Sequence, residues 1–188
     1  MGQVLWLMIK RIWKGEKIPS RWLNAAVCLL YKNKGSRSDP NNYRGISLLS
    51  AAEKILSIII HKRIATRAEK QLSEKQSGFR KGRSCRNAVF KLLRKLESAW
   101  KNQQSLVVNF VDFSKAFDSI DWTTMWKVLA WQGCPTMIID IMKRMYSDAS
   151  LSIRIDPAGQ RFAEKFDQKV GIRQGCSLSP LLFVLVGS

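Results

Sequence analysis

Residues 107–121 read VVNFVDFSKAFDSID. With Leu106 in front, the stretch opens as an apolar run, Leu106-Val107-Val108-Asn109-Phe110-Val111, rich in the β-branched and aromatic residues that favour a buried strand. The run ends in a carboxylate, Asp112. A carboxylate at the end of a buried strand sits on a rigid element, at an edge open to solvent, and that placement suits a group that holds a divalent metal. Phe117 follows five residues later, where it can wall the same pocket, and Asp118 and Asp121 lead into a helix. The same residues also fit a plainer reading, in which Asp112 ends a strand and Asp118 caps the next helix. A calcium loop is excluded, because aromatics fall at its second and sixth places and the sharp-turn glycine is missing.

Outward from this stretch, the charge balance narrows the class of partner. The chain has 188 residues, enough for one domain or a little more, and its 46% hydrophobic content is that of a globular protein. Against 14 acidic residues stand 32 Lys and Arg, a net charge of +18. Such an excess points to a polyanionic partner, most often nucleic acid. Cys28, Cys85, Cys134 and Cys176 are widely spaced and His61 is the sole histidine, so neither a zinc site nor a disulfide framework is expected. That usage fits an intracellular setting, nuclear or cytoplasmic. No apolar run approaches the ~20 residues needed to span a bilayer, so no membrane association is expected. The basic residues Lys10, Arg11 and Lys14 follow the N-terminal apolar stretch rather than precede it, unlike a signal peptide.

Taken in order, the chain predicts an amphipathic helix over 3–14 and a short buried strand over 25–31. A basic, glycine-containing loop, Lys32-Asn33-Lys34-Gly35-Ser36-Arg37, then leads to a second strand over 43–48, so that Lys32, Lys34 and Arg44 either clamp phosphates across it or are solvated surface charges. Ser50-Ala51-Ala52-Glu53 is a capping box opening a helix to about Lys70, with Ala52, Ile55, Leu56, Ile59 and Ile60 on its apolar face. The loop 76–84 is basic, with exposed charges expected at Arg80, Lys81 and Arg83. Ser84 is expected to cap a helix to Lys101 with Val89, Leu92, Leu93, Leu96 and Trp100 inward. After the central stretch, Asp118 or Ser119 caps a helix to about Trp131, and Pro135 opens another to Tyr146. Alternation at 151–155 predicts a half-buried strand, with a turn at 156–159 and a return strand over 162–170. Ser179-Pro180 opens a last helix whose apolar residues, Leu181, Leu182, Phe183, Leu185 and Val186, have nothing C-terminal to pack on, as in a fragment.

Four blocks carry a resemblance: NNYRGISLLS at 41–50, QSGFRKGRS at 76–84, FVDFSKAFDSIDW at 110–122 and GIRQGCSLSPLLF at 171–183. In this order they resemble the reverse transcriptase domain of non-long-terminal-repeat (LINE-type) retrotransposons. The likeness runs from the Pro19/Trp22 region onward, with Gly45 standing where the family often has proline. It implies an α+β right-hand polymerase fold: an N-terminal helical extension at 1–19, fingers at 20–105 and a partial palm at 106–188, ending before the second catalytic carboxylate motif and the thumb.

By the same resemblance Asp112 is the first catalytic carboxylate and a metal ligand, with the Phe113 main-chain carbonyl as a further ligand, for Mg²⁺ or alternatively Mn²⁺ in a complete domain. Lys32 and Arg44 hold the incoming dNTP, Phe117 excludes a ribonucleotide 2′-OH, and Gln174 and Gly175 line the nascent base pair. Gln76, Gly78, Phe79 and Arg80 contact the template. The implied partners are an RNA template, an RNA/DNA hybrid and dNTP. The family's aromatic-x-Asp-Asp motif is absent from the 188 residues, so the chain alone is expected to be inactive. A non-enzymatic nucleic-acid-binding module on the polymerase fold is the alternative.

Overall fold

The β-branched and aromatic residues flanking the Lys32–Arg37 loop form two adjacent strands of a mixed sheet. In a computed structural model describing residues 2–154 and 165–187, β1 (Asn24–Tyr31) pairs antiparallel with β2 (Tyr43–Leu48), from Tyr31↔Tyr43 to Ala26↔Leu48. On the other side β1 runs parallel to β3 (Ser150–Ile153), which pairs antiparallel with the short β4 (Phe166–Asp167). The order is β2-β1-β3-β4. The β1–β2 connection is ordered by polar contacts: Asp39 accepts from Asn41 N at 2.9 Å to start a short 3-10 turn, and Lys32 N donates to Asn42 O at 2.8 Å.

Seven helices complete the described residues: α1 (Gly2–Trp13), α2 (Ser20–Leu23), α3 (Ala51–Gln71), α4 (Cys85–Lys101), α5 (Trp122–Trp131), α6 (Thr136–Ser147) and α7 (Ser179–Val186). Ser50 caps α3 as its sequence predicts, accepting from Glu53 N at 3.1 Å, while its own hydroxyl donates to Trp22 O at 2.9 Å. The buried face of α3 is rotated from the predicted one. Glu53, Leu56, Ser57, Ile60, Ile64 and Ala68 are inside, whereas Ile55 is exposed. Glu53 lies on this inner face, paired with a partner distant in sequence.

The core gathers Leu56 and Ile60 of α3, Met125 and Leu129 of α5, Ile141 and Met142 of α6, and Leu182 of α7. Each such side chain contributes about 1.5–3 kcal/mol relative to exposure. The apolar residues of α7, with nothing C-terminal to pack on, pack instead on elements earlier in the chain, against α3 and α5.

Two other expectations fail. Residues 104–113 form no strand, and Val107 and Phe110 are 84% and 85% exposed. A strand needs a ladder for its N–H and C=O groups, and among the described residues no strand pairs with this segment; apolar composition alone only fits a pleated surface once one exists. Likewise α4 is an amphipathic helix with no buried residue: Val89, Leu93, Leu96 and Trp100 are all exposed. Ser84 bonds to the Asn87 side chain rather than capping it. The predicted turn at 156–159 lies outside the described residues.

Candidate nucleotide and template site

The β1–β2 loop, the turns after residue 111, the loop before α7 and α7 itself converge on one open cleft of about 1060 Å³. Lys32, Lys34, Tyr43 and Arg44 line it together with Asp112, Phe113, Lys115, Phe117 and Asp118; Gln174, Phe79 and Phe183 also line it. Residues more than a hundred positions apart therefore meet in one cleft.

Local chemistry explains each placement. The Lys32 ammonium donates to Asn41 O at 2.8 Å, which holds it at the rim, and Arg44 projects outward from β2. Residues 114–119 fold into tight turns, with Lys115 at φ 50° and Asp118 N donating to Lys115 O at 2.9 Å. These turns delay α5, which Asp121 caps instead, accepting from Thr124 N at 2.6 Å; the N–H donors hold its carboxyl below the ordinary aspartate range. Asp118, one of the two predicted caps, lines the cleft together with Asp112 instead. Phe117 packs edge-on against Phe183 with ring centroids 5.2 Å apart, lies 6.3 Å from Phe79, and offers its carbonyl to Ile172 N at 2.7 Å.

Four cations (Lys32, Lys34, Arg44, Lys115) face two carboxylates (Asp112, Asp118), so the cleft carries an excess of positive charge suited to a polyphosphate. The two carboxylates are hard oxygen donors, and a hard divalent cation is commonly held by one or two carboxylates while waters and phosphates complete its shell. That donor set fits such an ion. Among the described residues no three acidic, His or Cys side chains gather into a ready-made cage.

Other predicted site residues lie elsewhere. Gln76 lines a neighbouring groove of about 400 Å³ with Phe113, Asp121 and Val184. Its side chain donates to Gly78 O at 3.2 Å. Phe79 holds a positive φ of 57°, a conformation that costs energy for a bulky residue, and it is 63% exposed. Arg80 is not an exposed loop charge. It is buried, donating to Glu69 Oε1 at 2.9 Å and to Ser73 O at 2.6 Å, so its guanidinium knits the loop to α3. Arg83 is likewise engaged, with Glu74 O at 2.7 Å and the Glu74 carboxylate. Gly175 sits behind the wall: at φ 116° a Cβ would lie 2.5 Å from Ser47 O, so the close backbone approach is to β2.

The reading from sequence missed Lys115 and the placement of Asp118, both set by the turn geometry at 114–119. No periodicity signals such a turn. It also missed Arg173, which is 4% exposed and paired with Glu53. Burial pushes the Glu53 carboxyl up to about 7, partly offset by the Arg173 charge and hydrogen bond.

A family described as reverse transcriptase (RNA-dependent DNA polymerase) matches residues 31–187. The chain belongs to the reverse transcriptase family.

Among similar proteins is the "Probable RNA-directed DNA polymerase from transposon BS" of Drosophila melanogaster, 25% identical over 179 residues, 94% of this chain and 19% of that protein. Another is the "Retrovirus-related Pol polyprotein from type-1 retrotransposable element R2" of Popillia japonica, 29% identical over 168 residues, 88% of this chain and 23% of that protein. The reverse transcriptase chain thus spans about a fifth of the length of these relatives. A solved apo telomerase from Candida tropicalis superposes with a TM-score of 0.54 at 16% identity, covering 95% of this chain and 41% of that one. The α+β architecture is accordingly that of polymerase fingers and palm. Among the described residues no helix is long and apolar enough to cross a membrane.

Proposed function

We propose that this reverse transcriptase chain supplies the nucleotide-facing part of an RNA-directed DNA polymerase, with residues 20–105 as fingers and 106–188 as the leading part of the palm. The observation that carries this reading is the convergence of Lys32, Arg44, Asp112, Phe117 and Gln174, from four separate segments, on one cleft rich in positive charge. Lys32 and Arg44 hold the triphosphate of an incoming dNTP, Arg44 with a forked donor set that suits phosphate oxygens. Asp112, with Asp118 and the Phe113 carbonyl beside it, holds Mg²⁺ (Mn²⁺ substituting), which when bound stabilises charge developing on the transferred phosphate. Phe117 stands where a ribose 2′-OH would meet an aromatic face backed by Phe183. Gln174 abuts the nascent base pair, and Phe79 with Gln76 meets the RNA template or RNA/DNA hybrid.

The test is primer extension on a primed RNA by the chain joined to a matching downstream palm and thumb. Asp112→Asn removes nearly all incorporation, because a neutral amide holds Mg²⁺ poorly. Phe117→Ala admits ribonucleotides while dNTP use persists. The chain by itself gives no extension. Undiminished activity of Asp112→Asn, or an unchanged rNTP/dNTP ratio in Phe117→Ala, defeats the reading. A second reading, a nucleic-acid-binding module without catalysis, draws on the exposed Asp112 segment, which lies outside the sheet. Under it there is no incorporation to lose, and Asp112→Asn leaves RNA binding undiminished.

A further inference from the structure

The loop 171–176 reaches the cleft through one side chain, Gln174, yet it is tied down from several sides. Gly171 N donates to Ile120 O at 2.8 Å, Ile172 N to Phe117 O at 2.7 Å, and Ser47 N to Gln174 O at 2.7 Å. Gly171 and Gly175 press so closely on their neighbours that a Cβ at either would lie under 3.0 Å from backbone atoms of residue 118 or 47. Between them Arg173 turns the opposite way, into the interior. It pairs with Glu53, donates to Met145 O at 3.1 Å, and lies over the Tyr146 ring, 5.6 Å from its centroid. Arg173 thereby fastens the loop to the first turn of α3 and the last turn of α6.

A buried ion pair is a poor device for stability alone. Desolvating both charges offsets most of their attraction, and well-packed apolar residues often do as well or better. Here one carboxylate oxygen, Glu53 Oε2, lacks a hydrogen-bond partner among the described residues, a further cost. What the pair offers instead is direction: a planar guanidinium with fixed donors admits few loop orientations.

We infer that Arg173 is a positioning residue, and that the Glu53–Arg173 pair sets the register of residues 171–176 so that Gln174 faces the cleft while Phe117 is braced from behind. Its role in nucleotide selection rests on the function proposed above; its role in holding the loop does not.

The experiment uses the 188-residue chain with the double substitution E53M/R173M and, as a near-isosteric control, Glu53→Gln. Three properties are read: the thermal midpoint, hydrogen exchange at the Ser47 amide, and the binding of Mg²⁺ with dTTP. The expected result is that E53M/R173M melts within a few degrees of the parent. Its Ser47 amide should exchange at least about tenfold faster, as local opening becomes easier, and dTTP binding should weaken about tenfold. Labelling of Cys176, whose thiol meets Ser57 Oγ at 3.4 Å in the parent, should accelerate alongside. Should E53M/R173M fail to fold, Glu53→Gln is expected to show the same faster exchange with a smaller change in midpoint. Unchanged Ser47 exchange and Cys176 labelling in a folded variant overturn the inference, as does a loosened loop with undiminished dTTP binding. If the parent binds no dTTP while the variants loosen the loop, the positioning role stands and the nucleotide reading falls.

Discussion

α7 and the run 106–111 are of similar composition and opposite fate. Leu181, Leu182, Val184 and Leu185 are buried between α3 and α5, while Val107, Phe110 and Val111 face solvent together with the apolar side of α4. The difference is one of neighbours. α7 satisfies its own backbone and needs only an apolar surface, which α3 and α5 supply. An extended run needs a ladder as well, and no strand provides one among the described residues. Asp112 and the turns of the cleft hang from the uncovered region, whereas Gln174 and Arg173 belong to the covered one. The candidate site therefore joins a covered half to an open half.

The sharpest way to break this comparison is to truncate one residue in each half. Leu182→Ala should cost about 2–5 kcal/mol in denaturant unfolding, and Val107→Ala less than about 0.5 kcal/mol. Similar costs at both positions would mean that the 106–111 run is packed after all. Next in size, the Glu53 carboxyl gives the covered half a signature in pH. Its folded value is raised from 4.5 to about 7, so between those values the folded state holds more protons than the unfolded one. The contribution of Glu53 is therefore greatest at low pH, falls as pH rises through that window, and levels off above it. Glu53→Gln should remove that component, seen as a difference between the two pH–stability curves; parallel curves would contradict the assignment.

A smaller contrast lies within the loop 76–84. Arg80→Ala strips donors from Glu69 and from the Ser73 carbonyl and should cost about 1–3 kcal/mol, reduced by the partial exposure of Glu69. Lys81→Ala, at an exposed position, should stay within about 0.5 kcal/mol. Smallest is the cap. Asp121→Ala should cost about 1 kcal/mol, by circular-dichroism melting, and Asp118→Ala almost nothing. The reverse order would restore Asp118 as the cap.

Much of this architecture was legible in the sequence because its signals are local. The strands at 24–31 and 43–48, the Ser50 cap, and the helix after Pro135 all follow from neighbours within a few residues. The grouping of Lys32, Arg44, Asp112, Phe117 and Gln174 came from the resemblance, and the cleft brings them together. What was hidden depends on contacts distant in sequence. Glu53 looked like half of a capping box, yet its carboxylate serves Arg173, 120 residues on. Arg80 looked like any loop cation, yet Glu69 and Ser73 bury it. The run 106–111 had the composition of a strand, and composition cannot say whether a partner edge exists.

The most direct test is binding of an RNA/DNA hybrid across a salt series, followed by fluorescence anisotropy with two unrelated sequences. On the proposed function the cleft cations make phosphate contacts that ignore sequence, so log affinity should fall linearly with log salt, with a slope of roughly 0.7–0.9 per phosphate neutralised. Replacing Lys34, Arg44 and Lys115 together by Ala should flatten that slope by roughly two to three units and weaken both sequences equally. A slope unaffected by the triple change, or strong preference for one sequence, would contradict a template and nucleotide cleft at this position.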